Sequence, residues 1–282
     1  MTTRVHSLNR NLITKMLITA IGFLFLFAYL YPIYILLTVA VKTPSELAAS
    51  ALAFPKGIAL RNFTEAIKQS EFFLLLGNSL VLTLITVFFL IVLSSMASYV
   101  IERSSKRFPK FLYYFFISGL MVPIQMIMLP LYKLISTVGL MNSLFALVVV
   151  YLGSGMPFLV FYFVGFLKTI PRELDEAALI DGASRQRTYW SVIFPLMKTS
   201  VMTVAVLQVI WVWNDFLLPL LFLNSYKKMT LMVGIYSFVG EHTSDWTMMF
   251  ALIVISILPV ILLYVLLQKY IVEGFVSGAI KG

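Results

Sequence analysis

The sequence has no cysteine, two histidines and only 12 acidic residues in 282, and all charged residues together make up 12%. Without cysteine there is no disulfide, no thiolate metal site and no Cys nucleophile. So little charge beside so much apolar side chain excludes a disordered chain, which is apolar-poor and charge-rich. It also excludes a water-soluble domain, in which roughly 45–50% of residues are apolar and about 25% charged. Here 61% are hydrophobic, 15% aromatic, and the mean hydropathy is +0.97. What remains is an integral membrane protein. The 21 Lys and Arg residues give a net charge of +9. In a soluble protein that excess would point to nucleic acid; here it bears on which side of a bilayer each loop occupies.

A membrane-spanning helix needs about 20 mainly apolar residues. Uncharged runs occupy Met16–Val41, Phe72–Ile101, Phe111–Tyr132, Leu134–Leu167, Thr199–Asn214 and Trp246–Gln268. The fourth is too long for one span. Val138-Gly139-Leu140-Met141-Asn142-Ser143 reads as a turn, so its span is about Leu144–Leu167. The fifth continues past Asp215 into Phe216–Leu223, which puts an acid within or near the membrane. The expectation is an all-α integral membrane protein of six transmembrane helices with both termini on one side. The first run is expected to be a span and not a cleaved signal peptide, because it exceeds the 7–15 residues of an h-region. Both histidines, His6 and His242, fall outside the spans, so a buried imidazole metal site or acid–base pair lacks ligands.

Lys and Arg concentrate on one face of this scheme: Arg4, Arg10 and Lys15; Arg103, Lys106, Arg107 and Lys110; Lys168, Arg172, Arg185, Arg187 and Lys198; Lys269 and Lys281. The other face has Lys42, Lys56, Arg61, Lys68, Lys133, Lys227 and Lys228. The positive-inside rule therefore places both termini in the cytoplasm. Pro32, Pro123, Pro130, Pro157, Pro219 and Pro259 lie in the spans, each removing a backbone donor and able to bend its helix. Pro123 and Pro130 are seven apart with Gln125 between them, consistent either with packing geometry or with a pathway helix bent around a cavity.

The one long loop on the cytoplasmic face, 168–198, has a definite order. Thr169 is available as an N-cap and Pro171 suits a first helical turn. Glu173, Asp175 and Glu176 complement the helix dipole. Leu174, Ala177 and Ala178 form a small apolar face. Asp181-Gly182 is a turn, and Ser184 can cap a second short helix bearing Arg185, Arg187, Tyr189 and Trp190. Alanines on an exposed face suit close docking, and Glu176 and Asp181 offer carboxylates to a basic partner. An ordinary amphipathic interfacial loop would fit the same residues.

Glu176-Ala177-Ala178, then Asp181-Gly182-Ala183-Ser184, then Ile193-Phe194-Pro195-Leu196 closely resembles the EAA loop of ABC importer permeases. Asn78-Ser79-Leu80, Trp213-Asn214-Asp215-Phe216 and the ending Gly274–Gly282 resemble one carbohydrate branch, the second permease subunit of maltose-type importers. The resemblance implies a type I ABC importer permease fold. It divides the chain into 1–71 (N-terminus, first span and outer loop), a core at 72–268 of five helices containing the EAA loop, and a cytoplasmic tail at 269–282. It implies that Glu176, Ala177, Ala178, Asp181, Gly182, Ala183 and Pro195 dock a separate cytoplasmic ATPase. Gly278, Ala279, Lys281 and Gly282 of the tail would also touch that ATPase.

No phosphate-binding loop is present, so ATP and Mg belong to the partner chain, and this chain is expected to be neither an enzyme nor a cofactor binder. The implied partners are a second permease subunit in a heterodimer, two copies of the ATPase, an extracytoplasmic solute-binding protein and membrane lipid, with no nucleic acid. The implied location is a bacterial or archaeal cytoplasmic membrane, and the implied mechanism is alternating access. The longer outer loops, Lys42–Glu71 and Asn224–Asp245, would meet the binding protein. Gln125, Asn214 and Asp215 are the candidates for the translocation pathway. For Asp215, a structural role (a cap with Asn214, or a pair with Lys227 or Lys228) stands beside a sugar contact. Alternatives are an ABC permease for a non-sugar solute such as a sugar phosphate or polyol, and an ion-coupled secondary transporter. The second would need coupling-ion acids in the spans and usually an internal repeat.

Overall fold

The structure is a computed structural model that describes residues 2–241 and 245–279. Among the described residues the regular elements are all helical. In chain order they are α1 (Thr2–Ala40), α2 (Pro44–Ala49), α3 (Arg61–Gln69), α4 (Phe72–Arg103), α5 (Arg107–Leu120), α6 (Ile124–Thr137), α7 (Leu144–Leu167), α8 (Glu173–Ile180) and α9 (Arg185–Thr188). A π-helical turn (Tyr189–Ile193) leads into α10 (Phe194–Leu196) and α11 (Lys198–Asn214). Then come α12 (Leu217–Phe222), a 3-10 turn (Tyr226–Lys228), α13 (Leu231–Glu241) and α14 (Trp246–Ala279).

Among the described residues three stretches are continuous helices long and apolar enough to cross a membrane: Thr14–Ala40, α4 and α7. The expected third and fifth spans are not single helices. Arg107–Leu120 and Ile124–Thr137 meet at 104°, whereas the second bend, 76° between Arg185–Leu196 and Lys198–Asn214, falls just before the expected fifth span. If each bent pair counts as one span, the total reaches five. A further apolar segment, Trp246–Leu262, begins α14. The first break has a plain cause. Pro123 has no N–H to donate and adopts the extended backbone (ψ 131°) that ends one helix and caps the next. The fifth run is likewise cut, because α11 stops at Asn214 and Asp215 is extended.

The described residues divide into two compact units. The first comprises residues 1–70 and 238–255. Its α1 exposes Leu24, Phe25, Phe27 and Tyr29 around its circumference, a surface suited to lipid or a partner helix. The segment after α1 folds back on the helix end. Lys42 is 1% exposed, and its ammonium donates to the carbonyls of Ser50 (3.1 Å) and Ala51 (2.7 Å). Asn62 donates to the carbonyls of Ala40 and Lys42. The buried ammonium is thus satisfied by backbone carbonyls, and the buried Asn62 amide by two more. Thr43 and Glu46 form a capping box at the start of α2. The Thr43 backbone N–H bonded to the Glu46 carboxylate holds that acid below the usual carboxylate range.

The second unit, residues 71–237 and 256–282, holds the main core. Here α4 and α7 pack along their length. The buried side of α4 is rich in small hydroxyl residues, among them Ser79, Thr83, Thr86, Ser94, Ser95 and Ser98. Small residues let apolar helices approach where no hydrophobic effect drives them together. Ser95 and Ser98 return their hydroxyls to backbone carbonyls one turn back (2.6 Å each), and Ser98 also reaches Val160 on α7 (3.3 Å). Facing them, a Cβ on Gly155 would stand 2.9 Å from Leu90 Cδ2. One apolar cluster, with Leu147, Tyr151, Val212 and Phe222, fills one end. Another, with Leu90, Phe163, Leu167, Ile170, Ile193 and Met197, lies under the loop between α7 and α11.

Gly155→Val should push Leu90 out of its rotamer and cost about 1–3 kcal/mol. The unfolding midpoint of the purified chain in SDS should fall, and adding Leu90→Ala should recover part of it.

Candidate functional site

The 168–198 loop leaves α7 at Leu167 and returns into α11. Thr169 is not an N-cap. Its hydroxyl turns back and donates to the carbonyl of Phe166 (2.8 Å), and α8 starts after Arg172 with no side-chain cap. The carboxylates of Glu173, Asp175 and Glu176 stand in the first turn and complement the dipole instead. The helix ends in a Schellman motif: Ala183 N–H donates to the Ala178 carbonyl (3.0 Å) and Gly182 N–H to that of Leu179 (3.1 Å). Gly182 has φ +81°, a conformation that costs a residue with a Cβ roughly 1–2 kcal/mol. Ser184 then caps α9, accepting from the Arg187 backbone N–H (3.3 Å). Pro195, which follows the π-helical turn, cannot donate back to the Ser191 carbonyl. The Phe194 N–H bonds five residues back, to Tyr189.

This geometry leaves one face of the loop bare. Glu176, Ala177, Asp181 and Gly182 are exposed, Ala178 and Ala183 half-buried, and Ile180 is 85% exposed. Pro195 is also exposed, at the far end of the loop. A small-residue helix carrying two free-standing carboxylates and a bare isoleucine is a surface shaped for a partner. Asp175, one residue from Glu176, has the opposite fate. It is 8% exposed, accepts from the Tyr99 hydroxyl (2.7 Å) and pairs with Arg103 (2.9 Å). The sequence shows Asp175 only as one more acid in a first turn; a buried role is not legible from its spacing.

The expected pathway residues are not drawn together by hydrogen bonds. Gln125 is exposed near the start of α6. Asn214 is exposed and donates to the Ile210 carbonyl (2.8 Å). Asp215 has a structural post. One oxygen accepts from the hydroxyl of fully buried Tyr151 (2.7 Å), and the other from the Leu217 backbone N–H (3.1 Å) at the start of α12. Asp215 therefore joins α7 to the break between α11 and α12. It pairs with neither lysine, since Lys228 donates to the Asn142 carbonyl (2.8 Å). Asn142, at φ +56°, also caps the Asn224 and Ser225 backbone N–H groups. Asn78 and Ser79 on α4 hold the same outer segment. Asn78 donates to the carbonyls of Lys227 and Met229, and Ser79 accepts from the Leu231 N–H.

Gly278 and Ala279 of the expected tail contact are on the last turn of α14. Lys281 and Gly282 lie outside the described residues, as does His242. Among the described residues no group of three or more His, Asp or Glu is placed to hold a metal.

Residues 91–276 match the binding-protein-dependent transport system inner membrane component family. The chain belongs to that family. The match begins within α4 and takes in the whole 168–198 loop. The permease is 36% identical over 95% of its length to the probable starch degradation products transport system permease protein AmyC of Thermoanaerobacterium thermosulfurigenes, covering 98% of that protein. It is 33% identical over 94% of its length to the melibiose/raffinose/stachyose import permease protein MelC of Bacillus subtilis, covering 96% of it. A chain of a bacterial ABC transporter that imports the acidic polysaccharide alginate has the same fold. The TM-score is 0.81 at 21% identity, covering 92% of this permease and 96% of that chain. The permease is thus a multi-pass membrane protein of the ABC importer class, as its EAA-like loop implied.

Tyr151→Phe should lower the thermal unfolding midpoint of the detergent-purified permease. The loss corresponds to one hydrogen bond to a charged group, about 1.5–3 kcal/mol. If Asp215 served substrate alone, the midpoint would not move.

Proposed function

We propose that this permease is one of two membrane subunits of an ATP-driven importer that carries a di- or oligosaccharide into the cell by alternating access. The carbohydrate class is supported by relatives above 30% identity and over nine-tenths of the chain, which are named for starch degradation products and for melibiose, raffinose and stachyose. Termini in the cytoplasm are supported by the Lys and Arg distribution.

The observation that carries the coupling is the bare face of α8. In this reading a cytoplasmic ATPase receives that helix in a cleft. Ala177 and Ala178 permit close approach, Glu176 meets a basic group, and Gly182 turns the chain out of the way. ATP binding closes the ATPase dimer and displaces the docked helix. The membrane helices then open the pathway outward, where a sugar-loaded binding protein sits, and hydrolysis resets it. The permease supplies the lever and the pathway wall, and ATP and Mg stay on the partner. Each state is favoured by a ligand that binds it better, which is all the coupling that alternating access needs.

Two substitutions test this in proteoliposomes holding the permease pair, its ATPase and its binding protein. Gly182→Trp fills the exit of the docking helix and should abolish ATP-dependent uptake across a panel of maltotriose, raffinose and arabinotriose. Full uptake by that variant would refute docking at α8. Glu176→Lys should weaken retention of the ATPase on purification by about tenfold or more, as for loss of an interfacial charge pair. Uptake driven by a proton gradient without ATP would replace the whole reading with an ion-coupled transporter.

A further inference from the structure

The docking loop is covalently continuous with α7 and α11, yet most of its polar anchorage is on α4. Ser95, Tyr99, Glu102 and Arg103 stand at i, i+4, i+7 and i+8, so they share one face of that helix. Between them they hold the loop at Ile170, Arg172, Asp175 and Tyr189. The Ser95 and Tyr189 hydroxyls are bonded at 2.7 Å. Tyr99 donates to Asp175 (2.7 Å) and its ring lies 5.1 Å from that of Tyr189. Glu102 accepts from Arg172 through its backbone carbonyl (2.8 Å) and its carboxylate (3.2 Å). Arg103 donates to the Ile170 carbonyl (3.0 Å) and stands 2.9 Å from the Asp175 carboxylate. That last approach is ionic, its angle lying outside hydrogen-bond geometry.

These bonds differ in exposure. The Arg172–Glu102 pair has its guanidinium half in solvent, whereas the Arg103 and Asp175 side chains are 11% and 12% exposed. Exposed pairs contribute little to rigidity, while separating a buried pair leaves an uncompensated charge in a poorly polar site. The buried pair is therefore the bond that resists sliding of α8 along α4.

We propose that Arg103 and Asp175, steadied by Tyr99, are positioning residues that make the docking helix and α4 move as one body, so that displacement by the ATPase reaches the membrane through α4. None of the three faces the partner surface; they act through Glu176, Ala177 and Ala178, which do. The inference rests on the docking reading above, and the experiment separates the two.

The chain has no native cysteine, so two can be placed at will. Val100→Cys on α4 and Leu179→Cys on α8 are exposed positions, and neither is among the residues assigned to docking. With spin labels on both, their separation is read in the assembled transporter without nucleotide and after trapping with Mg·ATP and vanadate, label on partner chains being subtracted with the unsubstituted permease. The intact joint should give one narrow distance, the same in both states. Asp175→Asn should broaden it and make it change on trapping, and Asp175→Glu, which keeps the carboxylate, should restore the single distance. If Asp175→Asn does not assemble, Tyr99→Phe decides in its place, with a smaller broadening expected. A distance that changes on trapping with the joint intact, or stays narrow and constant in Asp175→Asn or its stand-in, overturns the joint. So does an Asp175→Glu chain no narrower than Asp175→Asn. Retention of the ATPase by the Gly182→Trp permease overturns the docking reading instead, whatever the labels report.

Discussion

A peptide group in hydrocarbon finds no water to bond, so each N–H and C=O must be satisfied by the protein itself. Long helices meet that demand wherever they run unbroken, as in α4 and α7. It is sharpest where they break, and several polar side chains of this permease stand there. Asp215 takes up the Leu217 N–H where α11 ends. Asn142 caps two N–H groups after α12 and bonds the Phe222 carbonyl through its own N–H. Asn78 occupies two carbonyls around the 3-10 turn, and Ser79 takes the first N–H of α13. In the other unit, Lys42 and Asn62 do the same for the segment after α1. Each of these polar side chains serves a loose backbone end.

The same solvent explains how the second unit is packed. Lipid is as apolar as leucine, so helices are held by close fit and by bonds that would otherwise go unmade. Gly155 against Leu90, and Gly119 against the ring of Pro157, bring neighbouring helices nearer than a side chain at either glycine would allow. The Ser and Thr residues of α4 serve this end by being small. Two of them, Ser95 and Ser98, also return their hydroxyls to carbonyls of their own helix.

Much of this is legible along the sequence. The membrane class follows from composition, and the form of the 168–198 loop from a string of motifs whose turn at Gly182, cap at Ser184 and exposed Ala177 appear where their residue types place them. What is not legible has a common cause. Periodicity reports the face of a helix but not its partner, so Asp175 reads like its acidic neighbours until Arg103 and Tyr99, more than seventy residues away, are brought beside it. Asp215 reads as an acid at depth until Tyr151 supplies its partner. An apolar run also reads as one span whether or not it bends. Pro123 signals a disturbance, and only the packing around it determines that the chain turns through 104°.

Asp175 and Glu176 carry the same chemistry and differ by one step along a helix, about 100° of rotation. That rotation places one carboxylate on a buried arginine and leaves the other facing out. A docking helix needs both. A free carboxylate recognises a partner only if the backbone beneath it does not yield, because an anchor that tilts under load spends the partner's displacement on its own rotation. A buried pair on the inner face gives the resistance that an exposed pair cannot, since solvent screens the latter and its long side chains re-pair at little cost. Bringing the inner pair to α4, and not to the two helices that already flank the loop in sequence, ties a third helix to the loop. The loop's polypeptide ends and its buried carboxylate together fix its position relative to α4, α7 and α11. Three such attachments hold a short helix against rotation where two would leave it a hinge.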